Sequence, residues 1–282
     1  MKAVTDSHII FDDINRIKKQ GSELKTNCFL SESQIQDLIG SRSLFSDTGD
    51  KWLALINSCP QFDRFYFVAS GWDALNQVLA QVNMIPHNFV TSDLVGGDSE
   101  VRQMMEIFQG NGFRNYALYQ RLARISDLNQ PAAELRATGI AYASGEDAQI
   151  IYDAICESFD PICDHFPSVS EIQEAVYNQS ILVSKINSTL LGFCFFETSG
   201  ITSLIRYVWV TDNFRGQGIG SNLLYRYFQE NFRVRRFILW VNAANNIAVS
   251  MYRHHGYQED RLIDYIMIRR RVKDGNDSCF IG

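Results

Sequence analysis

The sequence predicts an α/β (α+β) protein, a mixed central sheet flanked by helices, and three observations carry that prediction. The 282 residues are 46% hydrophobic and 12% aromatic, enough to bury a proper core in one or two domains. From residue 139 onward, stretches with strand and helix periodicity follow in the order β-α-α-β-β-β-α-β-α-β. Within that block, Val208-Trp209-Val210-Thr211-Asp212-Asn213-Phe214-Arg215-Gly216-Gln217-Gly218-Ile219-Gly220 runs from a strand through a glycine-rich turn into the start of a helix.

Taken in order, the first sixty residues give a short helix over Ile9–Ile17, a capping box at Ser31-Glu32-Ser33-Gln34 before Ile35, Leu38 and Ile39, and a buried segment at Trp52–Ile56. Phe65–Ala69 reads as a strand, and Trp72, Leu75, Val78, Leu79 and Val82 lie on one helical face. Asn88–Thr91 is a further strand, and Gly96-Gly97 turns the chain. Val101, Met104, Met105 and Phe108 form an amphipathic stripe stopped by Gly110 and Gly112, before a strand at Tyr116–Ile125. Turn formers over residues 126–138 suggest a boundary, giving an N-terminal domain over 1–130, a linker over 131–138 and a second domain over 139–282.

In the second domain, Gly139–Ala143 is a short strand, and Ile150, Ile151, Ala154, Ile155 and Phe159 form a helical stripe. A loop over Pro161–Pro167 leads to a helix at Glu171–Tyr177. Strands at Ile181–Ile186 and Leu190–Phe196 flank an Asn187-Ser188 turn, a hairpin signal. Strands at Leu204–Val210, Phe237–Val241 and Leu262–Arg269 and a helix at Asn246–His254 complete the block.

The glycine turn suggests chemistry. A helix that opens from glycines leaves main-chain N–H groups unpaired, and with the helix dipole they form an anion site suited to phosphate. Glycine lets the anion touch the backbone, since no Cβ intervenes. The turn lacks the Gly-Lys-Ser/Thr ending of a P-loop, and Ser221 stands where GxGxxG needs its last glycine, leaving Arg-x-x-Gly-x-Gly. Composition excludes other classes. A net charge of −6 without a long basic run argues against nucleic acid. Six scattered cysteines without a CxxC pair suggest neither a metal site nor a disulfide framework. The N-terminal residues lack an apolar core for a secretory signal, and no apolar run spans a membrane, so a reducing cytoplasm is expected.

A second motif lies one strand later: Asn245, Ala248, Tyr252, Gly256 and Tyr257 match N-x-x-A-x-x-x-Y-x-x-x-G-F/Y. The two motifs, in this order and spacing, resemble those of the GNAT N-acetyltransferase superfamily over residues 139–271. The resemblance implies an acyl-CoA N-acyltransferase fold and acetyl-CoA as the cofactor. It implies that Arg215, Gly216, Gln217, Gly218, Ile219, Gly220 and Ser221 hold the pyrophosphate, with the amides of Gln217 to Ser221 as the cradle. The edge of Val208, Trp209 and Val210 would pair with the pantetheine arm where the strand splays from its neighbour at a bulge. Asn245 would contact the pantetheine or nearby helix amides, and Tyr252 would protonate the leaving thiolate.

The family's usual glutamate base has no counterpart, because Thr202–Tyr207 carries no carboxylate. Glu197, Asp160, Asp164, His165 and a relayed water are the alternatives, each weighed against an ordinary surface role. The loop Phe159–Phe166 would cover the acceptor, and its aromatics, two acids and histidine suit a small cationic or hydroxylated amine.

The first half carries a fainter version of the same pattern. Phe108-x-x-x-Gly112-Phe113 parallels Tyr252-x-x-x-Gly256-Tyr257, the helix over 72–82 parallels 219–231, and Phe89–Thr91 parallels Phe237–Val241. This suggests a smaller, degenerate GNAT-like domain in tandem, in which Phe108 lacks the acid's hydroxyl and Ser70-Gly71-Trp72 offers no phosphate cradle. The leading expectation is an acetyl-CoA-dependent N-acetyltransferase of a small-molecule primary amine. A protein or peptide N-acetyltransferase, a non-catalytic acyl-CoA sensor and a partner-binding module are the rivals. Assembly is left open, a homodimer included.

Overall fold

Among the described residues, four clusters of apolar side chains organise the chain, two in each of two compact units. A computed structural model describes residues 1–21, 23–84, 89–126 and 139–270. Among the described residues, one unit comprises those within Met1–Leu118 together with 263–270, and the other those within Tyr119–Leu262. The linker expected over 131–138 lies outside the described residues. The units differ from the sequence division at both ends. Tyr119–Ile125 pairs antiparallel along Arg236–Asn242 and buries Leu122 in the second unit's core, whereas Tyr265 and Met267 are buried in the first unit's core.

The first unit contains β1 (Lys2–Ala3), α1 (Ser7–Lys18), β2 (Lys25–Thr26), α2 (Glu32–Gly40), β3 (Leu44–Thr48), β4 (Trp52–Ser58), β5 (Asp63–Ala69), α3 (Trp72–Ala80), β6 (Phe89–Gly97) and α4 (Asp98–Gly110). β7 (Arg114–Ile125) begins here and continues into the second unit. The strands β3, β4 and β5 form an antiparallel meander, and β5 then runs parallel to β6. The expected capping box forms: Ser31 accepts from Gln34 N–H, and Gln34 reaches back to the Ser31 amide. The Gly96-Gly97 turn is a correction, because both glycines end β6 and α4 starts at once with Asp98.

The second unit adds β8 (Ile140–Tyr142), α5 (Ala148–Ser158), α6 (Val169–Tyr177), β9 (Ile181–Ile186), β10 (Thr189–Ser199), β11 (Thr202–Val210), α7 (Ile219–Glu230), β12 (Arg236–Asn242), α8 (Asn246–His254) and the start of β13 (Gln258–Arg270). The β9–β10 hairpin turns through Asn187 and Ser188, both at positive φ, as a two-residue turn compatible with strand twist requires. β10 pairs antiparallel with β11, which runs parallel to β12. Leu223, Leu224 and Tyr227 on α7 and Val249 and Tyr252 on α8 bury their apolar faces against Ile205, Phe237, Leu239 and Val241 of the sheet. On another face, Ile151 and Ile155 of α5 and Ile172 of α6 pack with Val183, Phe193, Phe195 and Tyr207.

The two units repeat one order of elements. In the first, β1-α1-α2-β3-β4-β5-α3-β6-α4-β7 runs step for step with β8-α5-α6-β9-β10-β11-α7-β12-α8-β13 in the second. Among the strands and α-helices of the described residues, the short strand β2 is the one addition to the first series.

Candidate functional site

The site begins where β11 leaves β12. The two strands pair from Thr202↔Arg236 to Ile205↔Leu239, and the ladder then stops. On the other side of β11 the register shifts at the same point: Phe196 lies opposite Ile205 and Phe195 opposite Tyr207, so Arg206 is an extra residue. Such a bulge bends a strand and increases its twist. Val208, Trp209 and Val210 consequently keep one main-chain edge clear of β12.

β11 ends in a tightly folded loop. Thr211 N–H donates to Leu191 O at 2.9 Å, and Phe214 and Arg215 N–H close a short turn back to Thr211 and Asp212. The exposed Arg215 side chain folds back on the loop, donating to Val210 O at 3.1 Å and pairing with Asp212 at 2.7 Å. Gly216 and Gly218 take φ of 77° and 82°, a region that L side chains rarely occupy. Gly218 is the N-cap of α7 and supplies no side-chain acceptor, whereas α2, α6 and α8 are capped by Ser31, Ser168 and Asn245. The first main-chain bond of α7 is Asn222 N–H to Gly218 O at 2.9 Å, which leaves the earlier amides of the helix outside its ladder.

A cavity of about 530 Å³ opens on this helix end. It is lined by Val208, Trp209 and Val210, by Arg215, Gly216, Gly218, Ile219, Gly220 and Ser221, and across from them by Asn245 and Ala248. Gln217, expected in the cradle, is not in the lining; its side chain folds back to donate to Asn213 O at 3.2 Å. Asn245 caps α8, its Oδ1 accepting from Ala248 N–H at 3.0 Å, and so orients a helix that borders the cavity.

A second cavity, of about 490 Å³, shares Ser158, Phe159, Val208, Asn245 and Ala248 with the first. Tyr252 lines it and is only 7% exposed. Burial pushes the Tyr252 phenol above its ordinary pKa, so it stays protonated. Asp160 and Asp164 also line this cavity, whereas Glu197 and His165 do not. Glu197 is exposed and paired with Arg206 at 2.8 Å. Asp160 accepts from Ile162 N–H at 2.9 Å, and Asp164 from Asp160 N–H at 3.2 Å, which fixes both carboxylates within the α5–α6 loop. No group of three or more metal-ligating side chains occurs among the described residues, and none of their helices is long and apolar enough to cross a membrane.

Residues 177–259 match the family model described as an acetyltransferase (GNAT) domain. The match lies wholly within the second unit. A GCN5-related N-acetyltransferase from Sphaerobacter thermophilus is similar over 95% of this chain and 94% of its own, at 18% identity and a TM-score of 0.60. A tandem GNAT protein from the clavulanic acid biosynthesis pathway matches over 94% of both chains at 12% identity and a TM-score of 0.60. A GCN5-related glucosamine N-acetyltransferase region of a fungal multi-domain β-N-acetylglucosaminidase matches 93% of this chain and 36% of that one, at 13% identity and a TM-score of 0.61. No curated protein matches in sequence. The fold is the acyl-CoA N-acyltransferase fold in tandem, and GNAT domains transfer acyl groups from acetyl-CoA.

Several residues of the candidate site escaped sequence reasoning. Tyr119, midway along β7 and remote in sequence, lines the second cavity; burial, then Asp164, raises its phenol pKa. Trp240 and Asn242 line it from the splayed end of β12. His255 bonds to the Ser221 hydroxyl at 3.1 Å behind the glycine loop. Burial, then His254 and Arg124, lowers its pKa to about 4, which keeps it neutral. His255 directly precedes the motif glycine Gly256, a position at which any residue satisfies the motif, so the pattern does not single it out.

Proposed function

We propose that the protein is an acetyl-CoA-dependent N-acetyltransferase acting on the primary amine of a small molecule. The observation that carries this reading is the uncapped N-terminus of α7, which opens into a cavity that shares lining residues with one lined by a buried tyrosine. The residues fit the coenzyme. The amides at the start of α7 offer N–H groups to a diphosphate, with no Cβ at Gly216, Gly218 or Gly220. The clear edge of Val208–Val210 offers main-chain groups to the amides of the pantetheine arm, which would lie there as an added strand. When bound, the coenzyme supplies an acetyl thioester.

The chain's own groups then have defined tasks. With the coenzyme bound, the slot would aim its thioester at the second cavity, where the acceptor nitrogen would bond to the acetyl carbon as the carbon–sulfur bond breaks. Tyr252 gives its proton to the departing sulfur. The proton lost by the amine leaves on the side of Asp160 and Asp164, the candidate carboxylates in the cavity lining. Their negative charge, with Tyr119, Phe159 and Trp240 around them, suits a small cationic amine. The glucosamine acetyltransferase named above acts on an acceptor of that size. The test is turnover with a panel of small amines and of peptides, following free CoA thiol. Thiol release with small amines is expected. Release with peptides alone, or coenzyme binding without release, contradicts the reading.

A further inference from the structure

Resting on that reading, we propose that Arg206 and Tyr207 are positioning residues that set acceptor affinity by holding the α5–α6 loop over the thioester end of the slot. Consecutive strand side chains normally point to opposite faces. At the bulge this alternation fails, and both side chains reach one atom. The Tyr207 hydroxyl donates to His165 O at 2.7 Å, and the Arg206 guanidinium donates to the same oxygen at 3.1 Å. His165 adjoins Asp164, and Phe159 at the other end of the loop packs edge-on against Tyr207 with ring centroids 5.0 Å apart. Arg206 is steadied by Glu197 and lies over the Phe195 ring. The bulge that opens the slot therefore also anchors the loop bearing the two acids.

Tyr207→Phe keeps the ring packing and removes one donor. The acceptor KM should rise about five- to tenfold, with kcat and the acetyl-CoA KM nearly unchanged. The amides of Cys163 and Asp164, bonded to Asp160 O, should exchange with deuterium faster in the free variant. Unchanged acceptor KM and unchanged exchange would overturn the assignment, as would an equal loss in both substrates' KM. If no amine is acetylated, the functional reading fails, and the exchange measurement still decides the role of the clamp.

An independent observation concerns the first unit. We infer that its equivalent slot is filled by the chain's own residues 25–27, so the chain holds one coenzyme, not two. β5 and β6 pair only at Asp63↔Val90 and Arg64↔Thr91 before parting, as β11 and β12 do. Into that parting comes β2, pairing Lys25 with Ala69 and Thr26 with Val68. Asn27 accepts from Phe67 N–H at 2.7 Å and donates to Phe65 O on β5 and to Ser92 Oγ on β6, at 3.1 and 2.9 Å. Its side chain thus bridges the two strands. Lys25 pairs with Glu100 at the start of α4 and lies 4.3 Å over Trp72 at the start of α3.

In the second unit, the segment in the same place in the order, between α5 and α6, stays out of the slot and lines both cavities. Calorimetric titration with CoA should give one site per chain, with exchange protection at 216–221 and none at 64–73. The amides of Asn27 and Phe67 should exchange slowly with or without CoA. Two sites, protection within 64–73, or rapid exchange at Asn27 and Phe67 would each overturn the inference.

Discussion

Gly218→Ala tests the phosphate cradle without adding charge or bulk. At φ 82° an alanine costs about 1–2 kcal/mol if the loop keeps its shape. Nothing lies within 4 Å of a Cβ built there, so the penalty is backbone strain and not a clash. Relaxing that strain rotates the peptide preceding Ile219 and re-aims amides at the mouth of α7. Losing about one charge-assisted hydrogen bond to phosphate costs about 1.5–3 kcal/mol. The Kd for CoA should therefore rise about ten- to hundredfold by calorimetry. Acetyl-pantetheine, which lacks the diphosphate, should react with wild-type KM. Gly218→Asn should fall between the two, because asparagine enters this backbone region more readily. Wild-type CoA affinity in Gly218→Ala, or an equal loss with acetyl-pantetheine, would refute the cradle.

Other substitutions separate catalysis from packing. Tyr252→Phe should lower kcat about a hundredfold or more while CoA affinity by calorimetry stays near wild type. Tyr257→Phe should do the opposite: its buried hydroxyl has no hydrogen-bond partner among the described residues, so removal should leave kcat alone and raise stability by up to about 1 kcal/mol in urea titration. Asp160→Asn combined with Asp164→Asn should raise the KM of cationic amines and leave that of acetyl-CoA alone, as steady-state kinetics would reveal. His255 has a folded pKa lowered to about 4 from 6.5, so the unfolded chain binds more protons between those values. Its contribution to stability is therefore full above about pH 6.5 and is lost as pH falls toward 4. Thermal melts of His255→Gln against wild type should show a shallower decline across that window.

The parts of the site that were legible in the sequence are those built from local backbone demands. Two glycines at positive φ and a helix without a capping side chain leave a mark on Arg215–Gly220 that no neighbour can alter. Tyr252 on α8 was legible through the resemblance of Asn245–Tyr257 to the family's second motif. Long-range pairing was less legible. Tyr119–Ile125 reads as a strand, but alternation does not say that it will lie along β12, and Tyr119 enters the second cavity only through that pairing. The bulge at Arg206 has no glycine or proline to announce it; it emerges from the register between β10 and β11. The resemblance between the halves was visible in Phe108-x-x-x-Gly112-Phe113, whose helix and strand neighbours recur in order. The strap at Lys25–Asn27 was not, since a two-residue strand is too short for any periodicity.

The central claim is that main-chain amides at the start of α7 grip the diphosphate and send the thioester along the edge of β11. A crystal structure of the protein with CoA tests it most directly. The account predicts the diphosphate against residues 216–221, the pantetheine beside Val208–Val210 and the sulfur near Tyr252. A coenzyme bound elsewhere, or a helix end without it at saturating CoA, would contradict the account.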